Sequence, residues 1–223
     1  MKILVIDDTK SNLVAAVQTI VGHDVTICST HEEADNLLSP QYDEKKIKRL
    51  KEKYEGDGMD GFAAYVKARN ESKMPYWDAV LSDLLMPAGR MNQGDEGLQF
   101  VGQEMPVGWS LALRAAMEGA KFVAVVTDMG HHDHPASAML DSLYKHIFSI
   151  DGTKMLMTNR VGSVGIVGTE CPCKECGGTR KRRAYDGSQC DCYCKDGTGF
   201  AQRGKNWGEV LKKLMDESPT KEE

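Results

Sequence analysis

Long hydrophobic runs are missing from this sequence, and so is an N-terminal stretch of the kind that directs export. Its 223 residues include no apolar run near the roughly 18 residues that a membrane-spanning helix needs. The opening MKILVIDD reaches two aspartates after only four apolar residues, which is too short for the core of a signal peptide. We therefore expect no membrane association and a location in the reducing cytoplasm.

A strong excess of positive charge is also missing. The formal net charge is −5, which argues against general binding of nucleic acid along the whole chain. Cysteine is scarce except in one place, because six of the seven cysteines lie between residues 171 and 194. Cysteines crowded in this way in a cytoplasmic chain indicate a metal site before they indicate disulfides. The sequence thus predicts two domains, residues 1–165 and a smaller cysteine-rich module at 166–223.

Buried strands alternate with helices over the first domain, as the continuous apolar runs and the helical spacing of apolar residues indicate. The predicted strands are 2–6, 24–29, 77–82, 121–127 and 154–158, and the predicted helices are 9–21, 30–38, 109–118 and 135–148. This order favours an α/β fold with a doubly wound, five-stranded parallel sheet. The Asp-Gly in HIFSI-DG-TKMLMT also suits a β-hairpin, but we favour a helix end followed by a single strand.

Two insertions interrupt the alternation. Residues 40–76 contain the charged helical pattern DEKKIKRLKEKYE and a second one, FAAYVKARN, joined by GDGMDG, and they predict a helical hairpin. Residues 88–108 include the glycine-rich polar stretch AGRMNQGDEG, which is too irregular for a helix or strand. Long loops of this kind in compact domains are usually functional or mobile.

Acidic side chains follow three of the predicted strands. Asp7 and Asp8 come after the first, Asp83 after the third, and Thr127 with Asp128 after the fourth. Because the carboxyl ends of parallel strands meet at one edge of a sheet, we expect these groups in one crevice. Carboxylates so close together repel one another and require a cation, and oxygen ligands suit Mg²⁺. The alternative is that each acid is an ordinary loop residue.

The segments ILVIDD, VLSDLLMP and FVAVVT together resemble the receiver domain of bacterial two-component response regulators, over roughly residues 1–160. The resemblance implies a phosphorylation switch in which Asp83 accepts a phosphoryl group and Thr127 is the switch hydroxyl. It also implies Mg²⁺ bound by Asp8, Asp83 and the backbone carbonyl of Leu85, with Asp7 contributing through water. The implied partner is a histidine kinase or a phosphotransfer protein, and the protein is expected to be a switch, not a turnover enzyme.

One residue of the receiver pattern is missing from its expected place. Receiver domains carry a lysine just after the fifth strand, where this chain reads MTNR at 157–160. Lys154 lies at the beginning of that strand, and Arg160 is not equivalent to lysine as a point charge. The alternative is therefore a phosphorylation-independent pseudo-receiver that acts as a zinc-containing module for binding protein or nucleic acid. A Mg²⁺-dependent phosphatase is disfavoured, because it needs an acid two residues after the nucleophile, where Leu85 stands.

The segment CPCKECGGTRKRRAYDGSQCDCYCKDGTG predicts a zinc site. A Cys-x-x-Cys pair aims two thiolates at one ion, and a second pair about fifteen residues later completes a tetrahedral Cys₄ site. The segment is similar to half-repeats of the cysteine-rich zinc region of DnaJ-type chaperones. On that resemblance the predicted zinc ligands are Cys173, Cys176, Cys192 and Cys194, with Cys171 and Cys190 as spares. Disulfides, a two-metal cluster and iron–sulfur ligation are alternatives.

The predicted loop between the cysteine pairs carries four consecutive cations, Arg180 to Arg183. Such a stretch can bind the phosphates of a nucleic acid or an acidic protein partner, and it can equally be a solvated loop tip. The last helical pattern, WGEVLKKLMDE, is amphipathic, and we expect it to pack on the zinc module or on a partner. The run HHDH at 131–134 is expected to be a turn or a helix start and is assigned no ligand role.

Overall fold

The computed structural model describes most of the chain outside the cysteine-rich segment. It describes residues 1–90, 94–143, 146–167 and 203–216, and the short strands Glu170–Pro172, Lys181–Arg183, Gln189–Asp191 and Thr198–Phe200. The strands of the central sheet are β1 (Lys2–Ile6), β2 (Asp24–Cys28), β3 (Ala79–Asp83), β4 (Phe122–Val126), β5 (Ile147–Ile150) and β6 (Thr153–Thr158). The described α-helices are α1 (Lys10–Thr19), α2 (His31–Leu37), α3 (Glu44–Gly56), α4 (Gly61–Glu71), α5 (Gly108–Met117), α6 (Pro135–Met139) and α7 (Trp207–Asp216).

The sheet has the strand order β2-β1-β3-β4-β6-β5. Its first five strands are parallel, and only the edge strand β5 runs antiparallel, beside β6. The parallel part has the order of the flavodoxin-like doubly wound fold, in which ligands bind outside the carboxyl ends of the strands. The α/β prediction is thus confirmed as a mostly parallel sheet, and the sixth strand is an addition that the sequence analysis did not favour.

Helices cover both faces of the sheet, as the continuous apolar strands require. Side chains such as Leu4, Val80 and Val125 point to the face packed by α2, α5 and α6, and alternate residues point to the opposite face, packed by α1 and α7. Every residue of β3 is buried. The segment that ends in Asp83 is therefore held rigidly in the middle of the molecule.

The C-terminal helix α7 belongs to the core beneath the sheet. Trp207, Val210, Leu211 and Leu214 are all at most 5% exposed and pack with β1, β3, β4 and α1. Burying a large apolar side chain contributes about 1.5–3 kcal/mol, so these four residues anchor the helix firmly. The expectation that this helix packs on a zinc module or a partner is corrected, because its apolar stripe is the one that completes the α1 side of the sheet.

A short two-stranded ladder lies before α7, and its second strand leads directly into that helix. Strand β7 (Ser163–Gly165) pairs antiparallel with β8 (Arg203–Lys205). Gln18 on α1 also binds the connection, donating to the carbonyl of Gly165 at 2.9 Å and accepting from the amide of Val167 at 2.9 Å. The cysteine-rich segment thus leaves and re-enters the α/β fold at neighbouring points on α1.

The region after Thr127 differs from its prediction. Helix α6 ends at Met139 and continues only as the 3₁₀ turn Leu140–Ser142, and the chain then forms the β5–β6 hairpin. Asp151 and Gly152 both have positive φ, at 48° and 85°, which is the geometry of the primed two-residue turn that Asp-Gly favours. The hairpin interpretation was therefore the correct one, and the single-strand interpretation was wrong.

Both insertions are present where they were expected. Helices α3 and α4 form the helical hairpin, with Ile47, Tyr54, Ala64 and Ala68 in a small core of their own. The second insertion is closed by the two-residue pairing of Met86–Pro87 with Glu104–Met105 and contains the 3₁₀ turn Gly97–Phe100. Among the described residues, no helix has the length and hydrophobicity to span a membrane.

Candidate functional site

Three aspartates meet at the carboxyl edge of the central sheet. Strand β1 delivers Asp7 and Asp8, and β3 ends in Asp83; the two strands are neighbours, with Ile6 opposite Ser82. One carboxylate oxygen from each aspartate can be chosen so that all three lie within 4.8 Å of one another. Asp7 is fully buried and Asp83 is 7% exposed, so these two carboxylates lie below the surface at this edge of the sheet and not on an exposed loop.

Lys205 lies inside this cluster. Its Nζ is 2.8 Å from Oδ2 of Asp83, 2.9 Å from Oδ2 of Asp7 and 3.6 Å from Oδ1 of Asp128. The lysine side chain is only 1% exposed, whereas that of Asp128 is 66% exposed and lies at the rim. A buried cation thus lies between two of the aspartates, and it comes from the strand that leads into the last described helix.

The approach of β8 to α1 places Lys205 at this depth. Gly204 lies so close to α1 that a Cβ built on it would be 2.4 Å from the carbonyl oxygen of Ser11 and 2.7 Å from Cβ of Ala15. Such distances leave no room for a side chain, so glycine is required here. The next residue in the chain, Lys205, then has its side chain directed at the ends of β1 and β3.

Further hydrogen bonds fix the orientation of the carboxylates. Nδ2 of Asn12 donates to both carboxylate oxygens of Asp7 at 3.0 Å, and the amide of Thr9 donates to Oδ1 of Asp7 at 2.9 Å. Oδ1 of Asp83 accepts from the amide of Leu84 at 2.7 Å. The two oxygens of Asp83 therefore have different partners, a backbone amide on one and the Lys205 ammonium on the other.

Burial dominates the electrostatics of these acids. It raises the pKa of Asp83 to about 7, against the opposing effect of Lys205 and with the help of the nearby Asp7 charge. Burial also raises the pKa of Asp7. It raises the pKa of Asp8 as well, although Asp8 is less deeply buried. Burial alone acts to lower the pKa of Lys205, but Asp83, Asp7 and Asp128 together raise it, so the lysine is charged at neutral pH.

The donor set of the cluster fits a hard divalent cation. Asp7, Asp8, Asp83 and Asp128 present four carboxylates around one ammonium group, so the charge of the acids is only partly balanced by the protein. Carboxylate oxygens at such spacing are the ligands that Mg²⁺ takes, with water completing the shell. Asp7, Asp8 and Asp83 are the residues that would hold it.

The other residues expected at the site lie close by. Thr127 follows β4 directly, one residue beyond the partner of Asp83 in the sheet, and it is buried. Its Oγ1 accepts from the amide of Met129 at 3.2 Å. Leu85 stands two residues after Asp83 with its side chain in the core. Gly108 begins α5 against the backbone of Asp83, where a Cβ would be 1.9 Å from the Asp83 carbonyl oxygen.

The loop inserted after Pro87 brings an acid near the site. Glu104 on this loop raises the pKa of Asp8, although less than burial does, so the loop brings an additional acid near the cluster. Its other side is fixed to α2, where Oε1 of Glu32 accepts from the amide of Arg90 at 2.7 Å. The insertion therefore adds negative charge beside the aspartates.

Other candidate residues lie away from the cluster or have structural roles. Lys154 pairs with Phe122 at the beginning of β6, the far end of the sheet from Asp83, as expected. Arg160 is exposed, and the short ion pairs described for Asp7 and Asp83 are made by Lys205. His134 caps α6 by accepting from the amide of Ala136 at 3.1 Å, in agreement with the turn or helix start predicted for HHDH.

The predicted zinc ligands Cys173, Cys176, Cys192 and Cys194 lie outside the described residues. For the spares Cys171 and Cys190 the structure describes the backbone, which is in strands paired with Thr198–Phe200 and Lys181–Arg183 respectively. Part of the basic stretch is therefore a strand and not a loop, because Lys181–Arg183 pairs antiparallel with Gln189–Asp191. Arg180 lies outside the described residues.

Sequence reasoning missed Lys205 and Asn12. The receiver pattern places a cation near the fifth strand, where the sequence has Lys154 and Arg160, whereas Lys205 falls within residues 166–223, which the cysteine pattern predicts to be a separate module. A signal was available, however: a doubly wound sheet needs a helix after its last strand, and the amphipathic pattern at 207–216 was the candidate. The residues that lead into such a helix lie at the carboxyl edge of the sheet.

Comparison with known proteins adds no relative to this description. No protein-family model, curated protein or solved structure gives a significant match to the chain.

Proposed function

We propose that this protein is a response-regulator-like phosphorylation switch whose phosphoacceptor is Asp83. The observation that carries the proposal is the ion pair of 2.8 Å between Lys205 Nζ and Asp83 Oδ2, inside a cluster of carboxylates that suits Mg²⁺. Lys205 supplies the cation that the receiver pattern requires and that the residues after the fifth strand do not provide. A histidine kinase or a phosphotransfer protein is the proposed partner.

The chemistry of the step is transfer of a phosphoryl group to a carboxylate. An oxygen of Asp83 forms a bond to phosphorus while the bond from phosphorus to the donor nitrogen or oxygen breaks, and the donor group leaves. The amide of Leu84 holds Oδ1 of Asp83, and Lys205 is placed to pair with an oxygen of the transferred group. Bound Mg²⁺ would supply neutralisation of the phosphoryl charge.

Thr127 is the proposed output of the switch. Its hydroxyl now accepts from the amide of Met129, within the segment that leads to α6. A phosphoryl group on Asp83 offers new acceptor oxygens, so the hydroxyl can donate to them, and the contact with Met129 then changes. The surface expected to respond is that around residues 128–148, next to the site.

A phosphorylation-independent receiver is the second candidate, and the burial of Asp83 favours it. The residue is only 7% exposed, and both of its carboxylate oxygens already have partners. In this interpretation the cluster of Asp7, Asp83 and Lys205 serves to hold the C-terminal connection on the sheet, and the protein acts by binding a protein or a nucleic acid through its cysteine-rich segment.

One experiment separates the two candidates. Purified protein is incubated with Mg²⁺ and acetyl phosphate or phosphoramidate, and intact mass is measured for an added phosphoryl group. The switch predicts an adduct that requires Mg²⁺, is lost in Asp83→Asn and persists in the control Asp78→Asn, on a half-buried acid that pairs with Lys121 at the opposite end of the sheet. Absence of an adduct from the wild-type protein with either donor establishes the phosphorylation-independent receiver.

We also propose a structural Zn²⁺ site formed by Cys173, Cys176, Cys192 and Cys194, with Cys171 and Cys190 as spares. The support is the spacing of the cysteines, since thiolate pairs at this separation close a tetrahedral site. The cations at 180–183 are proposed to bind a protein or nucleic-acid partner. Elemental analysis of protein purified under reducing conditions without chelator should find about one Zn²⁺ per chain.

A further inference from the structure

The side chain of Asn12 joins the two halves of the acidic site. Asn12 lies in the first turn of α1, shortly after the Asp7–Asp8 pair in the sequence, and its side-chain amide is buried, with the residue only 4% exposed. Its Nδ2 donates to both carboxylate oxygens of Asp7 at 3.0 Å. Its Oδ1 accepts from the backbone amide of Lys205 at 3.0 Å. One amide group therefore contacts both the acid that follows β1 and the chain that carries the lysine.

We propose that Asn12 is a positioning residue for the phosphoacceptor site, acting on the reaction by fixing Lys205 against Asp7 and Asp83. The inference rests on the proposed function and adds to it a residue that the receiver resemblance did not assign. Asn12 does not contact Asp83 among the described hydrogen bonds, so its effect on the reaction passes through Lys205 and Asp7.

The need for such a residue follows from the way Lys205 reaches the site. The lysine is separated from the fifth parallel strand β6 by more than forty residues of chain, and β8, which carries it, is only three residues long and pairs with one three-residue strand. Short isolated ladders of this kind are weak on their own. The buried helix α7 fixes the chain two residues after Lys205, at Trp207. At Lys205 itself the backbone is held against α1 by the Asn12 hydrogen bond and the close approach of Gly204.

An amide is the side chain that suits both contacts. Asp7 is an acceptor and the backbone amide of Lys205 is a donor, so the residue between them must donate on one side and accept on the other. An aspartate at position 12 would retain the acceptor but place a further negative charge against Asp7. A leucine has the same branching at Cγ, although it is the larger side chain, and it can make neither hydrogen bond, so both groups would be left without this partner in a buried place.

The chain offers a matched control on the same helix. Gln18 also uses its side-chain amide to hold the C-terminal connection, with Nε2 donating to Gly165 and Oε1 accepting from Val167. It contacts neither Lys205 nor the aspartates in these bonds. Asn12→Leu and Gln18→Leu each remove a side-chain amide of α1 that both donates and accepts hydrogen bonds. Gln18 makes both kinds of bond to the C-terminal connection, whereas Asn12 accepts from that connection and donates to Asp7, so only Asn12→Leu acts on the site.

The first measurement does not depend on phosphorylation. Native protein is treated briefly with an amine-reactive ester, and labelling at each lysine is measured by peptide mass spectrometry, with the exposed Lys212 as internal reference. We expect Lys205 to resist labelling in the wild-type protein and in Gln18→Leu, and to react at least about tenfold faster in Asn12→Leu, since a hydrogen bond that holds it is lost. Unchanged labelling of Lys205 in Asn12→Leu overturns the proposal.

The second measurement is the rate of phosphorylation of Asp83 by acetyl phosphate at saturating Mg²⁺. Asn12→Leu is expected to slow it about tenfold or more and Gln18→Leu less than about twofold. In a Lys205→Met background the effect of Asn12→Leu should shrink to below about threefold, as expected of residues that act together. An equal loss in both backgrounds shows a general structural role and overturns the proposal.

Folding failure and failure of the proposed function are both distinguishable from these outcomes. Asn12→Ala removes the same hydrogen bonds with less crowding, and it should give the same increase in Lys205 labelling while its circular dichroism stays native. If the wild-type protein accepts no phosphoryl group, the proposed function fails, and labelling alone still decides whether Asn12 positions Lys205.

Discussion

The acidic and the basic halves of the site reach the same point by different routes. The sheet itself places the acids, because Asp7 and Asp8 follow β1 and Asp83 ends the adjacent parallel strand β3. The hydrogen bonds between these two strands hold the acids in position. Lys205 arrives on a three-residue strand after the cysteine-rich segment and depends on α1 and α7 for its position. The acids are thus part of the rigid core, whereas the lysine is attached to it by a few contacts.

Because the aspartates belong to the rigid sheet and Lys205 does not, we expect Lys205 to affect the rate of the proposed phosphorylation more than the stability of the sheet. Lys205→Met removes the ammonium group that lies between Asp7 and Asp83, so the pKa of Asp83 should rise further and the transferred phosphoryl group lose a partner. We expect phosphorylation by acetyl phosphate to slow about 100-fold, by analogy with removal of one charge-stabilising donor.

The measurement for this variant is the initial rate of adduct formation by intact mass. Lys212→Met, on an exposed lysine of α7, is the control and should match the wild-type rate. A Lys205→Met rate within about threefold of wild type would show that the ion pair is structural only.

The close approach of β8 to α1 gives the next largest effect. Gly204→Ala would place a Cβ against the Ser11 carbonyl and Ala15, and such overpacking costs about 1–3 kcal/mol of unfolding free energy. Chemical denaturation monitored by circular dichroism measures it. Gly56→Ala is the control, since nothing lies within 4 Å of a Cβ there, and its stability should be unchanged or slightly higher. Equal stability of the two variants would contradict the described packing.

Affinity for Mg²⁺ should change in the opposite direction to the phosphorylation rate. Lys205 and a divalent cation both neutralise Asp7 and Asp83, so they compete for the same charge. We expect Lys205→Met to bind Mg²⁺ about tenfold more tightly, the order of effect of one nearby unit charge in a partly buried site. Isothermal titration calorimetry of the wild type, Lys205→Met and Lys212→Met tests this. Weaker binding by Lys205→Met would show that the lysine helps to organise the metal ligands.

The smallest effect is expected from removing the cysteine-rich segment. The β7–β8 pairing and Gln18 close the connection at both of its ends, so residues 168–202 can be replaced by a short Gly/Ser linker. The phosphorylation rate should stay within about threefold of wild type, because shortening a closed loop changes its entropy only slightly, and the Zn²⁺ of the proposed site should be lost. A large loss of rate would show that the segment itself sets the position of Lys205.

Much of this arrangement follows from local sequence pattern. Residues 79–83 are a continuous apolar run that ends in an acid, and such runs are strands buried on both faces whose ends share an edge. The dipeptide Asp151-Gly152 also indicates a hairpin, whereas the helical pattern before it favours a helix end followed by a single strand. The turn chemistry of the dipeptide was the stronger physical signal, because both residues tolerate positive φ.

Local sequence pattern is sufficient to predict the alternating α/β fold, the two insertions and the meeting of Asp7, Asp8 and Asp83, because periodicity and strand direction are properties of neighbouring residues. The packing of α7 beneath the sheet and the completion of the acidic site by Lys205 and Asn12 follow instead from long-range contacts. These contacts join residues nearly 200 positions apart. They depend on the burial of an apolar helix face and on a glycine that allows two backbones to approach, and neither is specified by the residues around the aspartates.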